Sequence, residues 1–377
     1  MKTTLLAAIL ISTRLLVFSQ PITVCPATQK PLADRWRWAI SEDKNKNVHE
    51  NFWIGYSFVK MMQINSFTGS FYSDSKRNKP TLCELLGVKT CVRDEESFGS
   101  AHKVSLTDGS TIIDTDSGEE RIVPKEVGVL FEFTHGTGDE NNVKKIVVSN
   151  FSLHVDLNDE PVYWLGNAQA EESIQLLLSC FTPSAPTSVQ QSIISAIGLH
   201  PPSKEVILTL SNILRGDAVE AVRKDAAFWL GETNSGDALV VLYERALNDP
   251  SREVEESCVF GISQMKGGSA SDSLIALARH ANDRETKKKA MFWLGQKASK
   301  KALTALEKFA NDNDDTEIQK NAVFALTQFP DEQGLESLIR IAKTHPNPQV
   351  RKQAIFWLGE NGGERALNTL VEILKEN

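Results

Sequence analysis

The chain has 377 residues, 41% of them hydrophobic and 24% charged, enough apolar surface for two or so cored domains and too much for a disordered chain. Its formal net charge of −8 excludes the broad basic face on which a nucleic-acid binder depends.

Met1-Lys2, the apolar run Leu5 to Ile11, and Leu15 to Phe18 read as a secretory signal over residues 1–19, cleaved before Gln20. Ser12-Thr13-Arg14 interrupts the run, which leaves it too short for a retained membrane span, and no other stretch is long and apolar enough to cross a bilayer. The expected destination is therefore periplasmic or extracellular. Export permits disulfides. The five cysteines are an odd number, and Cys83 and Cys91, close together in a stretch read as irregular, are the expected pair. Cys180 and Cys258 fall on apolar helix faces, and no CxxC pair offers a thiolate zinc site.

Residues 20–158 read as a β-rich domain. Phe52, Ile54, Tyr56 and Phe58 alternate along one predicted strand, and Val127, Val129, Phe131 and Phe133 along another. Phe151, Leu153, Val155 and Leu157 suggest a third. Asp108-Gly109 supplies a two-residue hairpin turn, and His135 to Glu140 joins two longer strands. These features predict a small antiparallel sheet or sandwich without crossover helices. Chemistry is sparse here. Asp114-Thr115-Asp116-Ser117-Gly118 lacks the third oxygen ligand and the closing glutamate of a calcium loop. His135 has no visible nucleophile or acid beside it, and His154 with Asp156 offers two ligands where zinc needs three or four. No GxSxG, HExxH, GxxxxGKS or GxGxxG pattern occurs with the flanks it requires, so neither a catalytic residue, a metal site nor a cofactor is expected.

From residue 159 to 377 the pattern changes. Phe228-Trp229-Leu230-Gly231 recurs as Phe292-Trp293-Leu294-Gly295 and Phe356-Trp357-Leu358-Gly359, with a fainter copy at Tyr163-Trp164-Leu165-Gly166. With Phe260 and Phe324 between the strong copies, the phenylalanines advance by 32 residues, the period of stacked helical pairs. Val222, Ala226, Trp229 and Leu230 share one helical stripe and Phe228 lies off it. A second helix follows each motif, carrying Leu239, Leu242 and Ala246 or their equivalents. Asp249-Pro250 and Asn347-Pro348 read as caps before a proline at the first helical position. About seven such units are expected, with the β domain covering the apolar surface that an open stack leaves at its N-terminal end.

Val222-Arg223-Lys224-Asp225-Ala226-Ala227-Phe228-Trp229-Leu230-Gly231 and Val350-Arg351-Lys352-Gln353-Ala354-Ile355-Phe356-Trp357-Leu358-Gly359 resemble the first helix of short HEAT-like repeats, the type also found in phycobilisome lyase-like proteins. The resemblance implies an α-helical solenoid, a curved α/α superhelix, and a role in binding proteins or peptides. It departs from the family pattern at Trp229, Trp293 and Trp357, where alanine is usual, and at Glu255 and Gln319, where arginine is missing.

The tryptophans lie on the core stripe and are read as internal, offset by smaller residues in the flanking units. Arg279, Lys308 and Arg340 occupy equivalent outward positions on successive second helices and form the candidate partner-binding row. The fold expected is thus a HEAT-like solenoid preceded by an antiparallel β-rich domain. The function expected is an exported, non-catalytic scaffold for a protein or peptide. The alternatives are a lyase-like enzyme handling a chromophore and a carbohydrate-binding envelope protein.

Overall fold

A computed structural model describes residues 22–46, 50–63, 66–69, 79–88, 101–105, 111–115, 122–135, 142–312, 315–329, 332–361 and 363–376. The signal segment, the Asp108-Gly109 turn, Asp116 to Gly118 and Cys91 lie outside them. So do Gly136 to Glu140 of the loop after His135.

The N-terminal region begins with β1 (Ile22–Val24), α1 (Leu32–Lys46), β2 (Asn51–Gln63), β3 (Phe67–Gly69) and α2 (Leu82–Leu86). It continues with β4 (Ala101–Ser105), β5 (Thr111–Thr115), β6 (Ile122–Thr134), β7 (Lys145–Asn150) and β8 (Val162–Asn167). One sheet has the order β1-β8-β2-β6-β7 and a smaller one the order β3-β5-β4. The two long alternating strands pair antiparallel as their sequences suggest, with Phe52 opposite Phe133, Ile54 opposite Phe131 and Tyr56 opposite Val129. β4 and β5 also pair antiparallel, with Val104 opposite Ile112.

Three expectations are corrected. The sheet is mixed, because β8 pairs parallel with both β1 and β2, and α1 is a crossover helix joining the two strands that flank β8. Tyr163-Trp164-Leu165-Gly166 is β8 and not a helical repeat, so the β domain extends to Asn167, past the boundary expected at 158. Phe151 to Leu157 is buried but forms no strand. It crosses beneath the sheet, tied by Cys83 N–H to Phe151 O at 3.1 Å and Val155 N–H to Pro80 O at 3.0 Å.

The central strands are buried on both faces. Phe52, Ile54, Tyr56 and Phe58 with Val127, Val129, Phe131 and Phe133 face α1 and the helical half. Trp53, Leu130, Val147, Val162 and Trp164 face α2 and the Phe151–Leu157 crossing. Arg35, buried on α1, donates to Leu165 O at 2.5 Å and Asn167 O at 2.9 Å, and its other nitrogen lies 3.6 Å from Glu172 Oε2. The guanidinium thereby ties α1 to the end of β8 and to the first solenoid helix.

That helix is α3 (Ala170–Ser179). Six pairs follow: α4 (Thr187–Leu199) with α5 (Lys204–Arg215), α6 (Glu220–Glu232) with α7 (Gly236–Asn248), and α8 (Arg252–Gln264) with α9 (Gly268–His280). Then come α10 (Arg284–Lys297) with α11 (Lys300–Asn311), α12 (Thr316–Leu326) with α13 (Glu332–Thr344), and α14 (Pro348–Asn361) with α15 (Glu364–Glu376). Serine or aspartate caps open many of these helices: Ser203, Ser235, Ser251, Asp283, Ser299 and Asp315 each accept a backbone N–H from the first turn. Asp249 was expected to cap α8, but Ser251 does so. Asp249 is instead buried as the shared acceptor of Arg223, at 2.6 and 2.7 Å, and of Arg245.

The β domain caps the stack. Tyr56, Phe58, Val129 and Ile146 share one core with Ile174, Ile193 and Ile197. Polar contacts reinforce the seam: Tyr56 and Ser173 hydroxyls pair at 2.7 Å, and Lys60 Nζ donates to Leu199 O at 2.9 Å. Burial holds the Lys60 amine down to about 8. His200, at the end of α4, stacks on Phe58 at 4.0 Å with its imidazole pushed down to about 4, again by burial.

Candidate functional site

The first helix of each pair lies directly against its neighbours. A Cβ placed on Gly231 would meet Gly261 O at 2.5 Å, one on Gly261 would meet Ala227 O at 2.7 Å, and one on Gly295 would meet Ala325 O at 2.3 Å. Backbones approach this closely only where side chains are absent or small. Gly198 serves the same purpose for Trp229, whose indole would lie 2.2 Å from an added Cβ.

This spacing brings the motif aromatics together. Phe228 stacks on Phe260 with centroids 6.2 Å apart and planes at 12°, and Phe260 meets Trp293 at 5.1 Å. Trp293 abuts Phe292 edge-on at 5.0 Å, and Phe292 stacks on Phe324 at 6.2 Å and 17°. Phe324 meets Trp357 at 5.0 Å, and Trp357 abuts Phe356 at 5.0 Å. The result is an unbroken ladder of rings running across α6, α8, α10, α12 and α14.

Trp229 is buried, in keeping with the expected core role. Trp293 and Trp357 are only half-buried, as are Phe228, Phe260, Phe292 and Phe324, while Phe356 is exposed. Trp293 and Trp357 thus pack against the core as expected but are less deeply buried than Trp229. The phenylalanine faces cover one another in two stacked pairs, and the Trp357 indole nitrogen is buried. One turn beyond each phenylalanine stands a polar side chain: Glu232, Gln264, Gln296, Gln328 and Glu360. Gln296 donates to Gln328 across the units at 3.0 Å, and Gln264 and Gln328 donate to the neighbouring Ser263 and Thr327 hydroxyls.

The second helices splay further apart and leave open grooves. Arg279 on α9 and Lys308 on α11 line one of these, whereas Arg340 on α13 lies outside it, ion-paired with Glu307. The expected row of three is thus a pair and a separate ion pair.

The other sequence candidates are occupied by structure. His135 Nδ1 lies 2.8 Å from Asp43, His154 Nδ1 lies 2.5 Å from Lys79 O, and Asp156 pairs with Lys79 at 3.2 Å. Among the described residues no group of three or more histidine, cysteine, aspartate or glutamate side chains could hold a metal. Cys83 is disulfide-bonded, and Cys25, Cys180 and Cys258 are buried thiols. No helix among the described residues is long and apolar enough to cross a membrane.

The HEAT-repeat family model matches residues 271–341 and again 311–377. Residues 271–377 are HEAT repeats. No curated protein matches the sequence. Among solved structures, the chain is similar to the complex of CpcE and CpcF of phycocyanin lyase from Nostoc sp. PCC7120, at 20% identity over 53% of this chain and 80% of that one, TM-score 0.31. It is similar to YibA of Escherichia coli at 18% identity over 55% and 77%, TM-score 0.33. It is also similar to human deoxyhypusine hydroxylase at 15% identity over 53% and 85%, TM-score 0.23. The helical pairs place two surfaces on view, the aromatic ladder on the first helices and the grooves between the second.

Proposed function

We propose that this chain is an exported, non-catalytic scaffold whose solenoid holds a segment of a partner protein in extended conformation along the aromatic ladder. The observation that carries the reading is the ladder itself. Its two 6.2 Å ring steps come near the advance of about 6.6–6.8 Å that an extended chain makes every two residues, and the 5.0–5.1 Å steps between them are shorter. The edge of an aromatic ring is electropositive and favours carbonyl oxygens. A glutamine amide carries both a donor and an acceptor and can satisfy a backbone C=O and N–H together. Gln264, Gln296 and Gln328 stand in line to do so.

A sugar is less well suited, since carbohydrate platforms offer a free ring face and these faces stack on one another at 12° and 17°. Export rests on the apolar segment over residues 1–19 and agrees with the disulfide at Cys83, for which Cys91 is the proposed partner. The test is a photo-crosslinking residue placed at Gln296 and, as control, at the exposed Leu208 of α5 in the full chain, followed by mass spectrometry of the adducts. The expected result is a single polypeptide region attached at Gln296 and absent at Leu208. A glycan or pigment adduct at Gln296, or equal labelling from both positions, would refute the proposal.

A further inference from the structure

The grooves between successive second helices differ in charge balance. Between α13 and α15, a groove of about 690 Å³ is closed electrostatically by its own walls: Arg365 pairs with Glu332 at 3.1 Å and Glu336 at 2.9 Å, and Lys343 with Glu372 at 2.6 Å. Between α5 and α7, Arg215 pairs with Glu244. Between α11 and α13, Arg340 pairs with Glu307.

Between α9 and α11 the pattern breaks. This groove, about 750 Å³, has an apolar floor of Ile275, Ala276 and Ala305. Lys301 on its wall pairs with Asp272. Arg279, Lys300 and Lys308 have no acidic partner among the described residues, and Arg279 is held beside the Phe309 ring, its guanidinium carbon 6.0 Å from the centroid. Lys300 and Lys301 also open α11, which has no acidic residue in its first turn, so two cations stand at the positive end of the helix dipole. Three uncompensated cations around an apolar strip repel one another and the helix terminus, in a chain whose overall charge is −8. An anionic occupant relieves all of these repulsions at once.

We infer that the α9–α11 groove is a docking site for an acidic polypeptide segment, two or three of whose carboxylates meet Arg279, Lys300 and Lys308 while an apolar side chain between them lies on Ile275, Ala276 and Ala305. Charge complementarity selects the acid. Extent selects polypeptide over nucleic acid: the cations lie on α9 and α11 alone, and the next two grooves along the stack, α11–α13 and α13–α15, carry ion pairs across their walls, whereas a phosphate backbone draws on a long run of cations. The site is distinct from the ladder, which lies on the first helices, and its test does not depend on the ladder's partner.

The experiment titrates the full-length protein against a panel of fluorescent synthetic peptides. The panel carries zero to four Asp or Glu residues around a central Leu or Ser, with a single-stranded oligonucleotide as a separate probe, read by anisotropy. Affinity is expected to rise with acid count, to fall when the central Leu becomes Ser, and to drop about tenfold in Arg279→Gln/Lys308→Gln. Arg365→Gln, in the charge-balanced groove, is expected to leave it unchanged, and all three proteins should melt alike. Four outcomes would each overturn the assignment. These are no binding by any acidic peptide, affinity indifferent to acid count, an undiminished affinity in the double variant, or an oligonucleotide that binds more tightly than the most acidic peptide.

Discussion

Gly295 and Gly359 occupy the same place in two copies of the Phe-Trp-Leu-Gly motif, and replacing each by alanine should change stability in opposite directions. At Gly295 the new Cβ would lie 2.3 Å from Ala325 O and 3.0 Å from Gln328 Cβ, against an ordinary contact of 3.4 Å or more. Helices α10 and α12 would have to part by about an ångström, an overpacking that typically costs about 1–3 kcal/mol. The helix gains about 0.5–1 kcal/mol from losing a glycine, so at the middle of both ranges the net loss is about 1 kcal/mol. At Gly359 nothing lies within 4 Å of the added methyl, and the gain of about 0.5–1 kcal/mol stands alone. Urea unfolding followed by circular dichroism measures both. The Gly295→Ala variant should also weaken the Gln296–Gln328 bond across the opened seam. Two shifts of the same sign would refute the close first-helix packing on which the ladder depends.

The remaining predictions concern the seam and the buried ions. Asp249→Ala strips Arg223 and Arg245 of their shared buried acceptor and should cost about 3–5 kcal/mol by chemical denaturation. Tyr56→Phe leaves the buried Ser173 hydroxyl without its partner and should cost about 1–2 kcal/mol, a loss that Tyr56→Phe/Ser173→Ala reduces. His200 sits at about 4 in the folded chain against 6.5 when unfolded. Between these values the unfolded chain takes up a proton that the folded one refuses. Its contribution is therefore complete above pH 6.5 and falls by about 3 kcal/mol as the pH drops to 4, so His200→Phe should flatten that part of the stability profile. N-terminal sequencing of protein recovered outside the cytoplasm should begin at Gln20, and an intact Met1 there would refute cleavage.

The solenoid was legible because its signal is repeated: a phenylalanine every 32 residues and alanines on a 3.6-residue stripe fix the helix phase many times over. β8 was not, because a strand buried on both faces reads as a continuous apolar run. Tyr163 and Leu165 enter one core and Val162 and Trp164 the other, so the letters matched a helical motif. The crossover helix α1 was hidden by its charge density, although Leu32, Trp36 and Ala39 are spaced to share a face. At the ladder the sequence supplied the rings and their register but not their exposure. Trp293 shares the helical phase of the buried Trp229, yet its partner is the surface-facing Phe260, whereas Trp229 sits against Gly198. Likewise Arg279, Lys308 and Arg340 are equivalent in phase, and only Glu307 on the preceding helix separates Arg340 from the others.

The central claim is that the first-helix ladder, with its glutamine column, holds an extended partner segment. It is tested most directly by measuring the affinity of the crosslinked polypeptide for the native chain and for Gln264→Ala/Gln296→Ala/Gln328→Ala, three surface changes that should leave the melting temperature nearly unaltered. Losing three such amide contacts predicts a weakening of about tenfold or more. An unchanged affinity in a stably folded triple variant would contradict the account.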